Sequence, residues 1–298
     1  MPRSLYGTIL ENPAGQYQTL EGGNPNLEQE IANTVTAGVV FTPRAFPGFA
    51  ATLDYYRIKV DDTIGALEAD DIMNQCVATG DPRLCGLIHR DRFGTLWLLS
   101  PPNPDVGFIS TINDNVGKLE SEGLAVTGSY ARTIGGWGAL TTTLAGTILM
   151  AQKTDTGLFA YDCLGFHGNQ CGIPTPRWRH TARVAWDTNF NTTFAATWRL
   201  LGGTENDDLS PNPALGDPSN IRTLELNFAD KIEAFNFFDL SATFRPTRNY
   251  SIVAGVNNVF DKEPPLGSGL SDIDFGPGFY GMYDHLGRYF FTGINFQF

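Results

Sequence analysis

The chain has 298 residues, a formal net charge of −12 and an ordinary hydrophobic fraction of 42%. This acidic balance disfavours a nucleic-acid partner, because binding to a phosphate backbone depends on lysine and arginine. No membrane-spanning helix is predicted, since the longest apolar candidate, which begins at Leu140, is interrupted by threonines and falls short of the roughly 18 apolar residues that such a helix needs.

Strands with one apolar and one polar side dominate the first half of the chain. In each of them, apolar side chains alternate with small or polar ones, a period that is typical of strands. Each pair of strands is joined by a short turn, PRAFPG in the first pair and IGGW in the second, and a long segment with Cys76 and Cys85 separates the pairs. The predicted strands are residues 35–43, 49–60, 122–133 and 139–151.

The second half repeats the same unit. A long segment with Cys163 and Cys171 leads into a pair of strands around the turn NFN, and another pair surrounds the turn PTRN. Long polar connections, from Thr204 to about Lys231 and from Lys262 to about His285, precede the later strands. We predict about nine strands in all, of which the later ones are residues 177–188, 192–203, two strands within 237–261, and a terminal strand that ends at Phe298.

The connections alternate strictly between short and long, and this sorting is typical of a transmembrane β-barrel with short periplasmic turns and long outer loops. A secreted β-sandwich explains the alternation of side chains equally well but not the sorting of the connections. Two further features favour the barrel. One face is small and hydroxylic (Thr127, Ser129, Thr141, Thr143, Ser241, Thr243), and aromatic residues cluster near strand ends, as in interfacial girdles (Trp137, Trp178, Trp186, Tyr250, Phe298).

The four cysteines form two local pairs, Cys76 with Cys85 and Cys163 with Cys171, each in a polar segment that contains glycine and resembles a loop. Two disulfides, formed outside the cytosol, are the simplest interpretation. A metal site is an alternative, but neither pair has the spacing of a zinc knuckle. Free thiols are another alternative, and they would indicate a cytosolic protein.

An odd number of strands places the two ends of a barrel wall on opposite sides of the membrane, whereas single-chain bacterial barrels normally have an even number. No secretion signal precedes the first strand. We therefore expect the C-terminal part of a larger barrel, with residues 2–30 in an outer loop. The expected form is a C-shaped wall whose two edges are open.

Several stretches of the sequence carry a family resemblance. GNPNLEQEIANTVTAGVVFTP begins at Gly23, DYYRIKVDD ends one predicted strand, and NYSIVAGVNNVFDKEPP contains Asn257, Asn258, Phe260 and Asp261. With the terminal GRYFFTGINFQF, these stretches resemble the C-terminal barrel region of TonB-dependent outer-membrane receptors. The resemblance implies that residues 1–298 form the C-terminal part of a 22-strand-type barrel, without the plug domain and TonB box.

What the resemblance implies about function is energised uptake of a scarce ligand, such as a ferric siderophore, a vitamin or an oligosaccharide, across the bacterial outer membrane. The implied partners are the N-terminal barrel portion and plug, TonB, outer-membrane lipid and the barrel-assembly machinery. A passive porin or adhesin barrel is the alternative, and a plug domain and energy-coupling box encoded upstream would distinguish the two.

Aromatic and polar residues of the long loops are the candidate ligand contacts, because their rings can stack on sugar or catecholate rings. The alternative for each residue is that it packs one loop against another. The candidates are His89, Arg90, Trp97, Phe166, His167, Phe279, Tyr280 and Tyr283.

The terminal strand has a second expected role. Aromatic last strands in this class resemble the signal that the barrel-assembly machinery reads, and the same face is expected to meet lipid. The residues of this face are Phe290, Ile294, Phe296 and Phe298.

No enzyme, cofactor or metal centre is predicted. The sequence has neither a nucleophile elbow nor a phosphate-binding loop, and its four histidines show no metal-binding spacing. Asp61, Asp62 and residues 271–278 are interpreted as solvated acidic segments in preference to calcium sites. A hydrolase remains an alternative, because some outer-membrane barrels are hydrolases.

Overall fold

The computed structural model describes residues 17–96, 106–168, 170–215, 230–265 and 282–297. Within them, no helix has the length and apolar character to cross a bilayer. The elements in chain order are β1 Thr19–Leu20, β2 Ile31–Phe41, β3 Phe49–Gly65, α1 Ala69–Thr79, α2 Pro82–Gly86, β4 Ile88–His89, β5 Phe108–Ser110, β6 Asp114–Thr133, β7 Ala139–Asp155, β8 Ala160–Asp162, β9 Phe166–His167, β10 Trp178–Asp187, β11 Thr192–Leu201, β12 Thr204–Asn206, β13 Lys231–Ile232, β14 Phe235–Thr247, β15 Tyr250–Asn257 and β16 Tyr289–Phe296, with 3-10 turns at Gly135–Trp137 and Asp207–Leu209.

Nine long strands form one sheet in the order β16-β15-β14-β11-β10-β7-β6-β3-β2, and the short β8 adds to β7. Each long strand is therefore paired with the long strands next to it along the chain. The five pairings from β7 to β16 are all antiparallel. The order ends at β2 and β16, so the sheet is open. The predicted fold class, a partial up-and-down antiparallel β-barrel of about nine strands, is confirmed.

The connections are sorted by length as the sequence predicted. On one side, four short connections comprise residues 42–48, 134–138, 188–191 and 248–249. On the other side, four long connections comprise residues 66–113, 156–177, 202–234 and 258–288.

The pairing of residues across neighbouring strands shows which side chains share a face of the sheet. One row of direct partners runs through Thr143, Arg183, Thr197 and Asp239, and the next two rows of the same face contain Thr141, Ser241 and Thr243. This surface, which we call the polar face, includes four of the six hydroxyl residues singled out from the sequence.

The opposite surface, the apolar face, has Leu144, Ala182, Trp198 and Phe238 in one row of direct partners. Its large side chains are exposed to an unusual degree, and Phe290 reaches 79%. A water-exposed sheet with this many bare aromatic and aliphatic side chains is not expected. The apolar face is therefore suited to lipid.

Two aromatic belts lie on the apolar face, one towards each set of connections. In the belt nearer the long connections, the indole N–H of Trp178 donates to Nδ1 of His180, which packs edge-on against Trp198. The Trp198 ring stacks on Phe238, which contacts Phe260. Aromatic side chains at such depths are typical of membrane–water interfaces.

The second belt lies beside the short connections. Here the indole N–H of Trp186 donates to the carbonyl of Trp137 at 2.8 Å, and the Trp186 ring lies 5.9 Å from that of Phe194. Tyr250 and Phe296 pack edge-on with their ring centres 5.1 Å apart. From Trp178 to Trp186 the strand has nine residues, within the roughly 9–11 residues that a tilted strand needs to cross the hydrocarbon layer.

The terminal strand presents its predicted aromatic surface. Phe290, Ile294 and Phe296 lie on the apolar face opposite residues of β15, and all three are exposed. Phe298 lies outside the described residues. Recognition of this strand by the barrel-assembly machinery stays a prediction.

The chain divides into two compact units. Unit 1 comprises Met1–Asn33, Lys59–Leu119 and Thr154–Ala160, and unit 2 comprises Thr34–Ile58, Glu120–Lys153 and Tyr161–Phe298.

In unit 1 the first cysteine segment is helical, which corrects the interpretation of this segment as a loop. Cys76 lies on α1 and Cys85 on α2, and a disulfide joins them. Gly80 ends α1 with a left-handed backbone, and the carboxylate of Asp81 accepts the N–H of Arg83 to begin α2. The polar, glycine-containing residues that suggested a loop are thus the caps between two helices.

A small core fixes these helices in unit 1. Ile72 of α1 is fully buried with Ala69, Leu96 and Ile109. Strand β1 pairs in parallel with β5, so Thr19 and Leu20 are hydrogen-bonded to the long connection that follows β3. The outer-loop position predicted for residues 2–30 as a whole stays a prediction.

The GNPNLEQE stretch also has a structural role in unit 1. The side chain of Asn115 donates to the carbonyls of Glu28 and Asp62 and accepts the N–H of Glu28 at 2.8 Å. The carboxylate of Glu30 accepts the N–H of Ile64, also at 2.8 Å. The stretch therefore holds the backbone that leads into β2.

In unit 2 the second disulfide joins Cys163 to Cys171 between β8 and β10. A small sheet of β13, β12 and β9 lies in the same unit. Ile232, Phe235 and Phe237 form its buried cluster with Tyr283.

Three strands extend beyond their predicted ends on the side of the long connections. Strand β3 continues to Gly65, β6 begins at Asp114 and β7 continues to Asp155. Charged residues, among them Glu120, which pairs with Arg57 at 2.9 Å, interrupt the apolar period there. The sequence pattern therefore marks only the part of each strand that is suited to lipid.

We expect Leu144→Arg, on the apolar face of β7, to make insertion into the bilayer less favourable by about 2–4 kcal/mol, the cost of a cation near the bilayer midplane. The matched variant is Thr143→Arg, one residue away on the polar face, and it should cost less than about 1 kcal/mol. Urea titration of the protein folded into lipid vesicles measures both. Equal costs would contradict the assignment of the two faces.

The two disulfides are expected to stabilise their segments locally. Each closes a loop of about ten residues, so removing one should cost at most about 3 kcal/mol in the unfolded-chain entropy account. Hydrogen exchange with and without reductant should show faster exchange in α1 and α2, while the amides of β10 and β11 stay unchanged as an internal control. Free thiols in the folded protein would contradict both bonds.

Candidate ligand-binding surface

A tight turn in unit 1 is built around the buried carboxylate of Asp91, which is only 6% exposed. One oxygen accepts the backbone N–H groups of Phe93 and Thr95, each at 2.8 Å, and the other accepts the Thr95 hydroxyl. The Asp91 N–H donates to the Thr95 carbonyl at 3.0 Å, and Gly94 takes the left-handed backbone that closes the turn. A single acidic side chain thus fixes residues 91–95.

The pKa of Asp91 is lowered from its ordinary value by this environment. Burial alone raises it, but the hydrogen bonds from Thr95 and Phe93 favour the charged form and outweigh burial. The folded-state pKa therefore lies below the unfolded one. The carboxylate stabilises the turn above the unfolded pKa, and this contribution is lost as the pH falls through the folded value.

The turn presents cationic and aromatic side chains outwards. Arg92 lies 4.8 Å from the ring centre of Phe93, which is 52% exposed. Arg90 donates to the carbonyl of Gly94 at 2.9 Å. Within the described residues neither arginine forms an ion pair. In a chain of net charge −12, Arg90, Arg92 and Phe93 form an exposed basic surface, which we call the arginine turn.

His89 lies next to the arginine turn and is exposed. Its ring centre lies 4.6 Å from that of Phe108, which is its direct partner in the pairing of β4 with β5. Of the predicted ligand contacts, His89 and Arg90 are therefore both accessible, and they are adjacent in the chain. Their role in binding stays a prediction.

The candidates in unit 2 are placed differently. His167 is 3% exposed, and its Nδ1 lies 2.9 Å from the hydroxyl of Thr204. Phe166 packs against a buried cluster that contains Tyr161 and Cys163. Both rings therefore take part in packing between long connections, and their role in binding stays a prediction.

Tyr283 is also buried, at 5% exposure, and its ring packs edge-on against Phe235. Burial raises its pKa to about 12. This side chain supports the loop packing of unit 2 and does not present a ring to solvent. Three further candidates, Trp97, Phe279 and Tyr280, lie outside the described residues.

A carboxylate also organises the second disulfide segment. Asp207 is 1% exposed, and its Oδ2 accepts the N–H groups of Gln170 at 2.9 Å and Cys171 at 2.7 Å. Asp91 in unit 1 and Asp207 in unit 2 thus have the same role: each carboxylate accepts backbone N–H groups that would otherwise lack a partner.

Sequence reasoning missed an ionic network in unit 2. Arg199 of β11 binds Asp239 of β14 through two nitrogens, at 2.9 and 3.1 Å, and also binds Asp284. Its guanidinium lies 5.0 Å from the ring centre of Phe237. The alternation of β11 and β14 shows that Arg199 and Asp239 occupy polar positions, but their pairing depends on the register between the two strands.

The NNVFD motif joins the end of β15 to this network and to β16. Asn258 adopts a left-handed backbone, donates its N–H to Asp239 and exchanges two hydrogen bonds with Lys262. The carboxylate of Asp261 accepts the N–H of Arg288 at 2.7 Å, just before β16 begins. The motif is therefore a clamp at the last long connection.

The acidic residues of the described ranges do not form a metal centre, since no group of three or more His, Cys, Asp or Glu side chains is arranged to hold an ion there. Asp61, one of the two candidates for calcium, pairs with Lys118 at 3.2 Å.

A family model described as "TonB dependent receptor-like, beta-barrel" matches residues 2–259. The chain therefore belongs to the TonB-dependent receptor β-barrel family, whose members lie in the outer membrane of Gram-negative bacteria. No curated protein matches the chain.

Solved structures with the same fold include the ferric enterobactin receptor PfeA of Pseudomonas aeruginosa in complex with BCV-L6, with 18% identity, a TM-score of 0.58, and coverage of 95% of this chain and 34% of that one. The FrpB iron transporter of Neisseria meningitidis in its apoprotein form has 16% identity, a TM-score of 0.54, and coverage of 94% and 33%. The chain thus spans about one third of the length of these receptors.

We expect Asp91→Asn to loosen the arginine turn, because an amide replaces the charged acceptor of three hydrogen bonds. The amides of Phe93 and Thr95 should exchange roughly tenfold faster, a loss of about 1.5 kcal/mol. Arg92→Gln, which leaves the acceptor intact, is the control. Protection of wild type should also fall as the pH drops below the ordinary range of an aspartate, whereas unchanged exchange in Asp91→Asn would contradict the clamp.

Proposed function

We propose that the chain supplies the C-terminal barrel strands of a receptor that imports a ferric siderophore with energy from TonB. The family and the open sheet support this proposal, since β2 and β16 each offer an edge to which further strands can pair. An N-terminal barrel portion and a plug domain would complete the receptor. The chain's length, one third of that of the solved receptors, is compatible with this role.

The arginine turn is the observation that favours a ferric siderophore over the other ligand classes. Siderophores that bind iron through catecholates form anionic complexes with aromatic rings. Arg90 and Arg92 offer two positive charges that form no ion pair among the residues the structure describes, and Phe93 offers a ring, on one turn that Asp91 holds rigid. An uncharged oligosaccharide would need the ring but not the two charges.

A rigid turn is suited to capture because it loses little conformational entropy when a ligand binds. Both arginines are exposed, so each contact with an anion contributes modestly, at most about 1 kcal/mol. Several such contacts together with ring stacking are needed for tight binding. We therefore place the arginine turn at the point of first contact on the long-connection side.

The double variant Arg90→Gln with Arg92→Gln is expected to weaken binding of a ferric catecholate by about tenfold, the sum of two exposed charge contacts. Phe93→Ala should weaken it as well. Arg83→Gln is the matched control, because Arg83 lies in the same unit but already pairs with Asp81 at 2.9 Å. Fluorescence titration of the receptor in detergent measures all four proteins.

Uptake of radiolabelled iron by cells that express the receptor, with and without TonB, tests the energised step. Uptake that persists without TonB would favour a passive barrel. Binding that depends on Phe93 but not on the arginines would favour an oligosaccharide and overturn the assignment of the ligand.

A further inference from the structure

A groove of about 600 Å³ lies on the apolar face of unit 2, within the size range of ligand-binding clefts. Small side chains form its floor where neighbouring rows of the sheet meet, and large ones form its walls. Ala196, Ala242 and Ala254 lie in the floor, and Val184, Trp186, Phe194, Leu240, Val256 and Phe290 surround them.

The groove runs obliquely across the sheet, with one end beside a short connection and the other, at Val256 and Phe290, beside the long connection 258–288. Trp186 precedes the connection 188–191 by two residues, and Phe194 follows it by three. In barrels of this kind the short turns are periplasmic. The end of the groove at Trp186 and Phe194 therefore opens into the periplasmic half of the bilayer, which in outer membranes consists of phospholipid.

Charge on the short connections is complementary to a phospholipid headgroup. These four connections contain Arg44 and Arg248 and no acidic residue, although the whole chain has a net charge of −12. Arg248 lies in the turn between β14 and β15, the hairpin that contributes Leu240, Ala242 and Ala254 to the groove.

The distance between groove and turn matches one lipid. Ala254 lies four residues from Tyr250 at the start of β15, which is about 13 Å along the strand. An acyl chain whose phosphate lies beside Arg248 would thus reach the floor of the groove. The indole N–H of Trp186 already donates to Trp137, so this side chain presents only its apolar ring to the groove.

We propose that the groove binds one acyl chain of an anionic phospholipid from the periplasmic leaflet, with the phosphate beside Arg248. The proposal depends on the membrane position of the apolar face and not on the transported ligand. Burial of the chain in the groove contributes the affinity, and Arg248 contributes the preference for an anionic headgroup.

Native mass spectrometry of the protein released from detergent, after incubation with phosphatidylglycerol or phosphatidylcholine, tests this site. Wild type is expected to retain one phosphatidylglycerol. Ala242→Phe fills the groove and should reduce retention by about tenfold, equivalent to about two lost methylene contacts. Ala182→Phe, the same substitution on the apolar face but outside the groove, should retain the lipid.

Arg248→Gln should abolish the preference for phosphatidylglycerol over phosphatidylcholine, and Arg44→Gln, in another short connection, should not. Ala196→Phe provides a second filled groove if Ala242→Phe fails to fold. Equal retention by Ala242→Phe, Ala196→Phe and Ala182→Phe would overturn the proposal. So would retention of lipopolysaccharide instead of phospholipid, or a dimer that the groove-filling variants dissociate.

Discussion

Pairing of backbone N–H and C=O groups is the constraint on which this structure depends, because each group left unpaired in a bilayer costs several kcal/mol. A strand in lipid must pair along both edges. Each long strand pairs with the long strands before and after it in the chain, which satisfies this requirement. At one end of the sheet, this order needs only short connections between the strands. The alternation of side chains then follows, since the two faces of the same sheet meet lipid and the polar interior.

Outside the region suited to lipid, the chain is held by a different set of interactions. The buried clusters of the long connections are small, so local devices add to them: two disulfides, the carboxylates of Asp91 and Asp207, and the side chain of Asn115. Each device satisfies backbone donors or restrains a short segment. A rigid arginine turn can therefore project from a part of the molecule that lacks a large core.

The distribution of charge separates the two ends of the strands. The long-connection side contains most of the acidic residues, with the arginine turn as a local exception, whereas the charged residues of the short connections are arginines alone. The arginine turn and the arginines of the short connections are each suited to an anion, but of a different kind. One suits a soluble metal complex in our proposal, and the other suits the headgroup of a membrane lipid.

The sequence by itself determined the nine strands, their order, their faces and the two cysteine pairs, because a period of two, turn residues and cysteine spacing are local signals. The NNVFD and terminal motifs indicated the family for the same reason. Only the tertiary structure decided that His167 and Tyr283 are buried while His89 and Arg90 are exposed, since burial depends on which distant segments pack together. It also decided the helices at Cys76 and Cys85, whose cap residues resemble those of a loop, and the contact of Arg199 with Asp239, which requires the register between two strands.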